Sequence, residues 1–578
     1  MRAARTSVEI ENSEIAETFE QVADLLEIQG QSHSRARAYR DAAHVLRGLA
    51  RPVRQMLEQG ADLAALPGIG AELAEKIAEV ARGGPLALLD ELAREIAPGV
   101  TELLVLRGLG PRRVRQLHDE LQVRSLEDLE RALREGRLDL LAGFGPALRH
   151  NLLGAIEQQQ QGARTPWALA EPHANALLDY LRASPAILRA ELAGSFRRRK
   201  ESVGDLDLLV AARRPAQALE HFVAFPAAGS VLARGSTRAA LLLHSGLQVD
   251  LRVVDEAEFG AAFVYLTGSK AHNIALRLHA QERGLWLNEY GVFRGKTRIA
   301  AESEEQVYAA LGLPFVEPEL REDRGELAAA RENRLPELVA LGDLRGDLHV
   351  HSSASDGSDS VEDLARAALQ RGHAYLAIAD HTASARFGRG LETVELEAHL
   401  ERIERARAQV PGLQILKAAE VDILGDGALD LPEALLDSLD LVVAAVHSGL
   451  DLSRERQTQR VLAALRSGRV HVLAHPGGRL IGSRAGLELD FGRVIAAARE
   501  HGCALELNSQ PLRLDLDEHY CRAAREAGVL VAISSDAHSV GELDFLRLGV
   551  GQARRGWLAR EHVLNTLSWP SLARWLKR

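Results

Sequence analysis

The sequence predicts a multidomain α/β protein with a helical N-terminal region, a mixed α/β middle and a C-terminal α/β barrel-like domain. Three observations predict it. Apolar residues recur at three and four spacings through the first 165 residues, with Gly and Pro breaking the pattern at regular points. From Trp167 to about Val316 strand-like apolar runs alternate with helical stretches. From Asp347 to Arg578 eight apolar runs each feed a turn or a helix, as the strands of an α/β barrel do.

A chain of 578 residues exceeds a single core. The candidate domains are 1–90 and 91–165, both helical; 166–258; 259–316; a charged linker with a short helix, 317–345, containing Pro318 and Pro336; and 346–578. The Gln158–Gln161 run marks the first major boundary. Hydrophobic residues make up 46% and charged residues 26%, a soluble globular balance. No apolar stretch is long enough to span a bilayer and there is no charged-then-apolar leader, so no membrane partner and a cytoplasmic location are expected. Cys503 and Cys521 give neither a disulfide framework nor a zinc-finger spacing. The net charge of -11 does not exclude a nucleic-acid partner, which needs a local basic surface rather than a basic total.

In the helical region one element recurs. Leu66-Pro-Gly68-Ile-Gly70, Leu106-Arg-Gly108-Leu-Gly110 and Leu141-Ala-Gly143-Phe-Gly145 each precede an amphipathic helix. Paired glycines let a backbone approach a phosphate, and a helix N-terminus offers it free N–H groups. The element resembles the helix-hairpin-helix motif, which reads the DNA backbone without regard to sequence.

The middle region carries Gly194-Ser195-Phe-Arg-Arg198 followed by Gly204-Asp205-Leu-Asp207. Strand-like runs are Leu188–Ala193, Leu206–Ala211, Ala239–His244 and Leu247–Val254. Asp205 and Asp207, two apart on such a run, share one face. Asp250 on a neighbouring run can complete a trio. Clustered carboxylates call for a cation, and three of them can hold the two Mg²⁺ or Mn²⁺ ions of an in-line displacement at phosphorus. Gly194, Ser195 and Gly204 offer a turn and a hydroxyl to phosphates, and Arg198 a guanidinium.

This stretch resembles the family X DNA polymerases. Tyr265-Leu-Thr-Gly268-Ser-Lys270-Ala-His-Asn273 with Arg277 looks like the family's nucleotide-binding segment, and Asn288-Glu289-Tyr290 like its next landmark. The resemblance implies a polymerase-beta-like nucleotidyltransferase palm (166–258) and nucleotide-selecting thumb (259–316). It places Gly268 and Asn273 at the incoming dNTP and Arg277 at the template. Lys270 is read either as a phosphate partner or as a solvated surface lysine. Val203 and Tyr265-Leu266 depart from the vertebrate pattern of a serine and a Tyr-Phe pair. Ala38-Tyr39-Arg40 and the helix through Lys76 resemble the family's small lyase domain. Lys76 falls on the Schiff-base position, but Glu72 and Glu75 flank it and raise its pKa, so an exposed helix lysine is the better reading.

The C-terminal region presents His349, His351, Asp356, His381, Glu420, His447, His475, Asp536 and His538 at or near the ends of apolar runs. One histidine after a strand is a packing accident; nine such groups make a multinuclear metal site. His373, His471 and His501 fall outside the pattern and are read as structural, and Arg386, Arg389 or Arg484 can grip phosphate. The set resembles the PHP phosphoesterase domain, a distorted (β/α) barrel. It implies three divalent ions, Zn²⁺ and/or Mn²⁺: one on His349, His351, Glu420 and Asp536, one on Glu420, His447 and His475, and one on Asp356, His381 and His538.

The domain order resembles bacterial PolX enzymes. It implies a monomeric repair polymerase acting on gapped or primer–template DNA and dNTPs, with a PHP-domain 3′–5′ exonuclease. Cleavage at abasic sites and removal of 3′ blocking groups are further reactions of such a site. The alternatives are a PHP phosphoesterase whose N-terminal half only anchors DNA, and a non-catalytic DNA-end scaffold.

Overall fold

The computed structural model describes residues 164–384 and 389–577, together with 12–30, 33–47, 53–58, 60–66, 68–82, 109–141, 143–145 and a few short pieces between them. Gly108, Arg386 and the glutamine run lie outside the described residues. The chain divides into two compact units, 1–163 and 164–578.

In the first unit the helices Asn12–Ile28 and His33–Arg47 contribute Ile15, Phe19, Leu26, Tyr39 and Leu46 to one apolar core. Gly70 caps the helix Ala71–Ala81 and Gly110 the helix Pro111–Leu121, which has Pro at its first position. Both capping glycines have φ -81°, with ψ 169° and 170°, so the two repeats share one backbone shape. Gly68 and Gly143 have positive φ, 77° and 88°, where a side chain would be strained.

The second unit opens with β1 (Thr165–Pro166), β2 (Arg189–Leu192), β3 (Ser202–Val203), β4 (Asp205–Ala211), β5 (Ala228–Arg234), β6 (Arg238–Leu243) and β7 (Gln248–Val254). β1 pairs with β3; the rest form a sheet in the order β2-β4-β7-β6-β5, in which only β4 and β7 run parallel. Alternation along β4 fixes the site. Leu206, Leu208 and Val210 join a core with Leu177 and Phe222 of the helices Trp167–Arg182 and Pro215–Val223. Leu209 and Ala211 pack on the other face against Phe259 and Phe263. Asp205 and Asp207 share the parity of that second face. β5 was not anticipated from the sequence; as an edge strand with Val231 and Leu232 exposed it lacks a buried alternation.

The helices Phe259–Thr267 and Lys270–Glu282 follow, then an antiparallel sheet of β8 (Trp286–Asn288), β9 (Gly291–Arg294) and β10 (Thr297–Ala300). The segment 317–345, expected to be a linker, belongs to this core. Leu320, Leu327, Ala330 and Leu338 are buried in it beside Val307 and Tyr308. Its charges misled because two of them are interior: Arg321 bonds Glu304 at 2.7 Å, and Glu326 lies 2.6 Å from His272.

The C-terminal strands are β11 (Gly346–Val350), β12 (Tyr375–Ile378), β13 (Gln414–Asp422), β14 (Leu441–Ala445), β15 (Val472–Leu473), β16 (Ala504–Asn508) and β17 (Val531–Ser534), seven where eight apolar runs were counted. All pair in parallel in chain order. They are buried almost throughout, as parallel strands sheathed by helices must be. The bridge Val350–Ala537 and the bond from His351 N to Ala537 O (2.8 Å) bring first and last strands together into a nearly closed barrel. Among the described residues no helix is long and apolar enough to cross a membrane.

Candidate active sites

In the sheet of the second unit, Asp207 and Asp250 are register partners on β4 and β7, with Asp205 two residues earlier. Burial and the charge of Asp250 raise the pKa of Asp205. Burial, then Asp205 and Asp250, push Asp207 up to about 7. Three carboxylates, one of them held half-protonated at neutral pH by burial and by the charge of its two neighbours, fit a divalent cation. Gly194, at φ 58°, abuts Asp207: a Cβ there would lie 1.8 Å from its Oδ2. Ser195 lies half-buried in the one-turn helix Gly194–Arg197, and Gly204 half-buried in the bend between β3 and β4.

Arg198 is buried, with Nε bonded to Glu322 at 3.0 Å and Nη1 to the Thr267 carbonyl, beside Gly268. Asn273 donates to Tyr265 O at 2.7 Å and so holds the segment Tyr265–Gly268. Lys270 is exposed in the first turn of its helix, and Arg277 stacks over the Tyr265 ring at 5.6 Å. Arg252 joins this corner, bonding Glu289 at 3.2 Å.

The nine groups of the barrel converge. His351 Nε2 lies 3.1 Å from both His349 Nε2 and Asp536 Oδ1. Glu420 Oε2 is 3.5 Å from His349 and 3.6 Å from His351, and its Oε1 is 2.8 Å from His475 and 3.3 Å from His447. Asp356 Oδ2 is 3.3 Å from both His381 and His538. The nine groups thus fall together, with Glu420 within reach of members of both the first and the second expected group. His381 also reaches Glu420 at 2.8 Å, so the third group is continuous with the others. Among the described residues His351, Asp356, His381 and His538 form one potential four-ligand cluster. His351 Nδ1 is buried with no hydrogen-bond partner, as a nitrogen awaiting a cation would be.

Burial alone would lower the histidine pKa values. Glu420 outweighs it at His381, raised to about 10, and at His447, raised to about 9; Asp356 does so at His538, raised to about 9. Without ions, these imidazoles hold protons where the carboxylates need positive charge.

Residues not singled out from the sequence orient the ligands. Glu506 takes His349 Nδ1 at 2.7 Å and the His475 N–H at 2.7 Å. Asp422 takes His447 Nδ1 at 2.6 Å, and Asn508 donates to Asp536 at 2.8 Å. The signal was present: Glu506 and Asn508 interrupt a fully buried apolar strand, and Asp422 stands two after Glu420. His471 accepts from Val442 N at 3.0 Å, and His501 caps the helix Phe491–Glu500. Arg484 bonds the Gly478 carbonyl at 3.0 Å, and Arg389 pairs with Glu395 at 2.8 Å.

Among the described residues nothing lies within 4 Å of a Cβ built at Gly68, Gly70, Gly110 or Gly145. At Gly70 and Gly110 the backbone would also accept any residue. Glycine there leaves room for something approaching from outside. Lys76 is half-buried rather than exposed: its Nζ donates to Tyr39 Oη at 2.8 Å and to Glu72. Burial lowers its pKa, but the bonds to Glu72 and Tyr39 prevail and raise it.

A family profile described as "Helix-hairpin-helix domain" matches residues 10–86, one described as "DNA polymerase beta thumb" matches 262–322, and one described as "PHP domain" matches 347–510. Over 570 residues the chain is 36% identical to the DNA polymerase/3'-5' exonuclease PolX of Bacillus subtilis (strain 168), spanning 98% of this chain and 99% of that protein. Over 211 residues, 34% of this chain and 81% of the relative, it is 33% identical to the probable phosphatase YcdX of Shigella dysenteriae serotype 1 (strain Sd197). YcdX of Escherichia coli (strain K12 / DH10B) is 32% identical over 203 residues, 33% of this chain and 78% of the relative.

Proposed function

The chain belongs to the family X polymerases that carry helix-hairpin-helix, polymerase-beta-type and PHP domains, and from that membership we propose that it fills short gaps in DNA with its palm and trims 3′ ends with its barrel. The observation that carries the reading is the pairing of Asp207 with Asp250 in one part of the chain and the convergence of nine candidate ligands in another.

In the palm, Asp205, Asp207 and Asp250 would hold two ions, Mg²⁺ or Mn²⁺. Bound there, the ions lower the pKa of the attacking 3′ hydroxyl and neutralise charge on the triphosphate. The chain's own part is positional. Gly194 gives up its side chain so that Asp207 can sit against the backbone. Arg198 presents a fixed cation between Asp207 and Gly268, toward the phosphates of the dNTP. Asn273 holds the carbonyl of Tyr265, which keeps the nucleotide segment in shape. Tyr265 and Arg277 form the wall at the template.

In the barrel, the three ligand groups would hold three ions, and a mixed His/carboxylate set suits Zn²⁺ or Mn²⁺. Bound, they activate water and steady the phosphodiester charge. Glu506 and Asp422 fix the imidazoles so that Nε2 faces inward. The open glycine loops would rest on the backbone of gapped or primer–template DNA. Candidate residues for both sites come from one chain, which suits a monomer, and action on DNA suits a cytoplasmic protein. Lys76 would serve a lyase step only after losing the proton that Glu72 and Tyr39 stabilise.

The test uses a 5′-labelled primer on one-nucleotide-gapped DNA with Mn²⁺, with and without dNTPs. Asp205→Ala/Asp207→Ala should abolish extension and spare shortening; His349→Ala/His351→Ala should do the reverse. Absence of both activities in the wild type would sink the reading.

A further inference from the structure

A lattice of buried charges lies where the barrel helix Leu546–Arg555 meets the palm. At its centre is Arg555, whose side chain has no exposed surface. Its Nη1 donates to the main-chain carbonyl of Arg198 at 2.7 Å and to Glu322 Oε1 at 3.0 Å. Its Nη2 donates to Glu518 Oε1 at 2.8 Å, which Arg324 also reaches at 3.1 Å. The same Glu322 oxygen receives Arg198 Nε at 3.0 Å. Arg198 and Arg555 are thus held by one carboxylate atom, and Arg555 grips the Arg198 backbone as well.

The rest of Arg198 meets the segment read as nucleotide-binding. Nη1 is bonded to the Thr267 carbonyl, Gly268 lies against it, and Nη2 has no hydrogen-bond partner among the described residues. Its charge reaches Asp207, whose pKa it draws downward. Arg198, Arg324 and Arg555 face two carboxylates, Glu322 and Glu518, so positive charge is left over beside the metal carboxylates. A free arginine has rotamer entropy to lose on binding an anion. One already held at Nε and Nη1 has lost most of it beforehand.

Other ion pairs at the same interface make no contact with Arg198. Arg547 pairs with Glu171 through two bonds of 2.6 Å, and Arg554 bonds Glu319 at 2.7 Å. Domain adhesion therefore has its own residues, and the Arg555 contacts are additional to it.

We propose that Arg555, a residue of the phosphoesterase domain, is a positioning residue for nucleotidyl transfer: by bracing Glu322 and the Arg198 backbone it holds the Arg198 guanidinium ready for the triphosphate of the incoming nucleotide. The inference rests on the polymerase reading above.

The experiment is steady-state insertion of one nucleotide into gapped DNA by the full-length chain, with the exonuclease rate and Tm of each variant recorded. Arg555→Met should raise KM for the dNTP about tenfold, with kcat within about threefold and the exonuclease rate kept. In an Arg198→Met background the same change should add nothing further to KM. Arg547→Met, at the same interface, should lower Tm without moving KM. If Arg555→Met does not fold, Arg555→Lys decides. An ammonium cannot serve Glu322, Glu518 and the carbonyl with one planar fork, so KM should still rise about threefold. An unchanged KM in a folded Arg555 variant overturns the proposal. So does a rise in KM matched by an equal loss of exonuclease rate, or one that persists undiminished without Arg198. A wild type that extends no primer fails the polymerase reading itself, an outcome distinct from extension with unaltered KM.

Discussion

Asp207 on β4 and Asp250 on β7 oppose each other in register across one parallel strand pair. Adjacent strands stand about 5 Å apart, so these carboxylates repel strongly unless a cation or a proton intervenes. With Asp207 at about 7, the proton and the cation compete within the working pH range.

The first prediction concerns that competition. A protonated carboxyl is a poor ligand, so the Mg²⁺ affinity of the palm should fall by about tenfold for each pH unit below 7 and flatten above it. Extension rate titrated against Mg²⁺ at pH 6, 7 and 8 checks this. Equal midpoints at pH 6 and 8 would contradict the pairing.

A stability consequence follows from the same residue. Its folded pKa is raised, so its own contribution to the stability of the ion-free protein is fully present below the ordinary aspartate pKa and is lost as pH rises toward 7. The loss is on the order of 4 kcal/mol. Asp207→Asn should therefore raise the ion-free Tm at pH 8 while abolishing extension. Melting curves in EDTA measure it, and a lower Tm would refute it.

In the barrel, His381, His447 and His538 carry protons at pH 7 in the absence of metal, with pKa values of about 10, 9 and 9. Metal ligation requires the neutral ring, so Mn²⁺ binding should expel protons, and affinity should climb as pH rises toward 9. Calorimetry in two buffers of different ionisation enthalpy reads the protons directly. Identical heats in both buffers would count against the site. Chelation should silence 3′ shortening, and Mn²⁺ should restore it.

Glu506 is the next target. It fixes His349 and the backbone of His475 at once. Glu506→Gln should weaken metal affinity or exonuclease activity by about 10- to 100-fold, although the residue touches no ion in the ligand scheme. Extension should be unaffected. A variant with wild-type Mn²⁺ dependence would show that the imidazoles need no such support.

Gly194 and Gly70 make opposite predictions for the same substitution. Gly194→Ala drives a methyl into Asp207 at a strained φ and should cost most of the polymerase activity while leaving exonuclease intact. Gly70→Ala meets open space at an ordinary φ. As an alanine at a helix N-cap it should lower Tm by about 2–4 °C, yet weaken binding to gapped DNA severalfold. Anisotropy with labelled DNA, alongside thermal melts, separates the two.

The candidate ligands of both sites were legible because their chemistry is local: two aspartates at strand spacing, and histidines closing apolar runs. What escaped was set by partners far away in sequence. Glu506 serves His349 from 157 residues downstream, and a lone buried glutamate gives no hint of its client. The segment 317–345 read as a linker because Arg321 and Glu326 look solvated until Glu304 and His272 are placed beside them. β5 escaped because an exposed edge strand carries no buried stripe. Arg198 was read as a guanidinium for the phosphates, and its bracing by Glu322 was invisible at a separation of 124 residues.

The ion pairs that fasten the helix Leu546–Arg555 to Glu171, Glu319 and Glu322 have a consequence for inheritance. Excising the barrel at residue 345 would strand carboxylates on one piece and arginines on the other. The two catalytic halves should therefore melt in a single transition rather than two. A lesion confined to the exonuclease core then lowers the abundance of working polymerase in the cell, and selection acts on both activities as one trait.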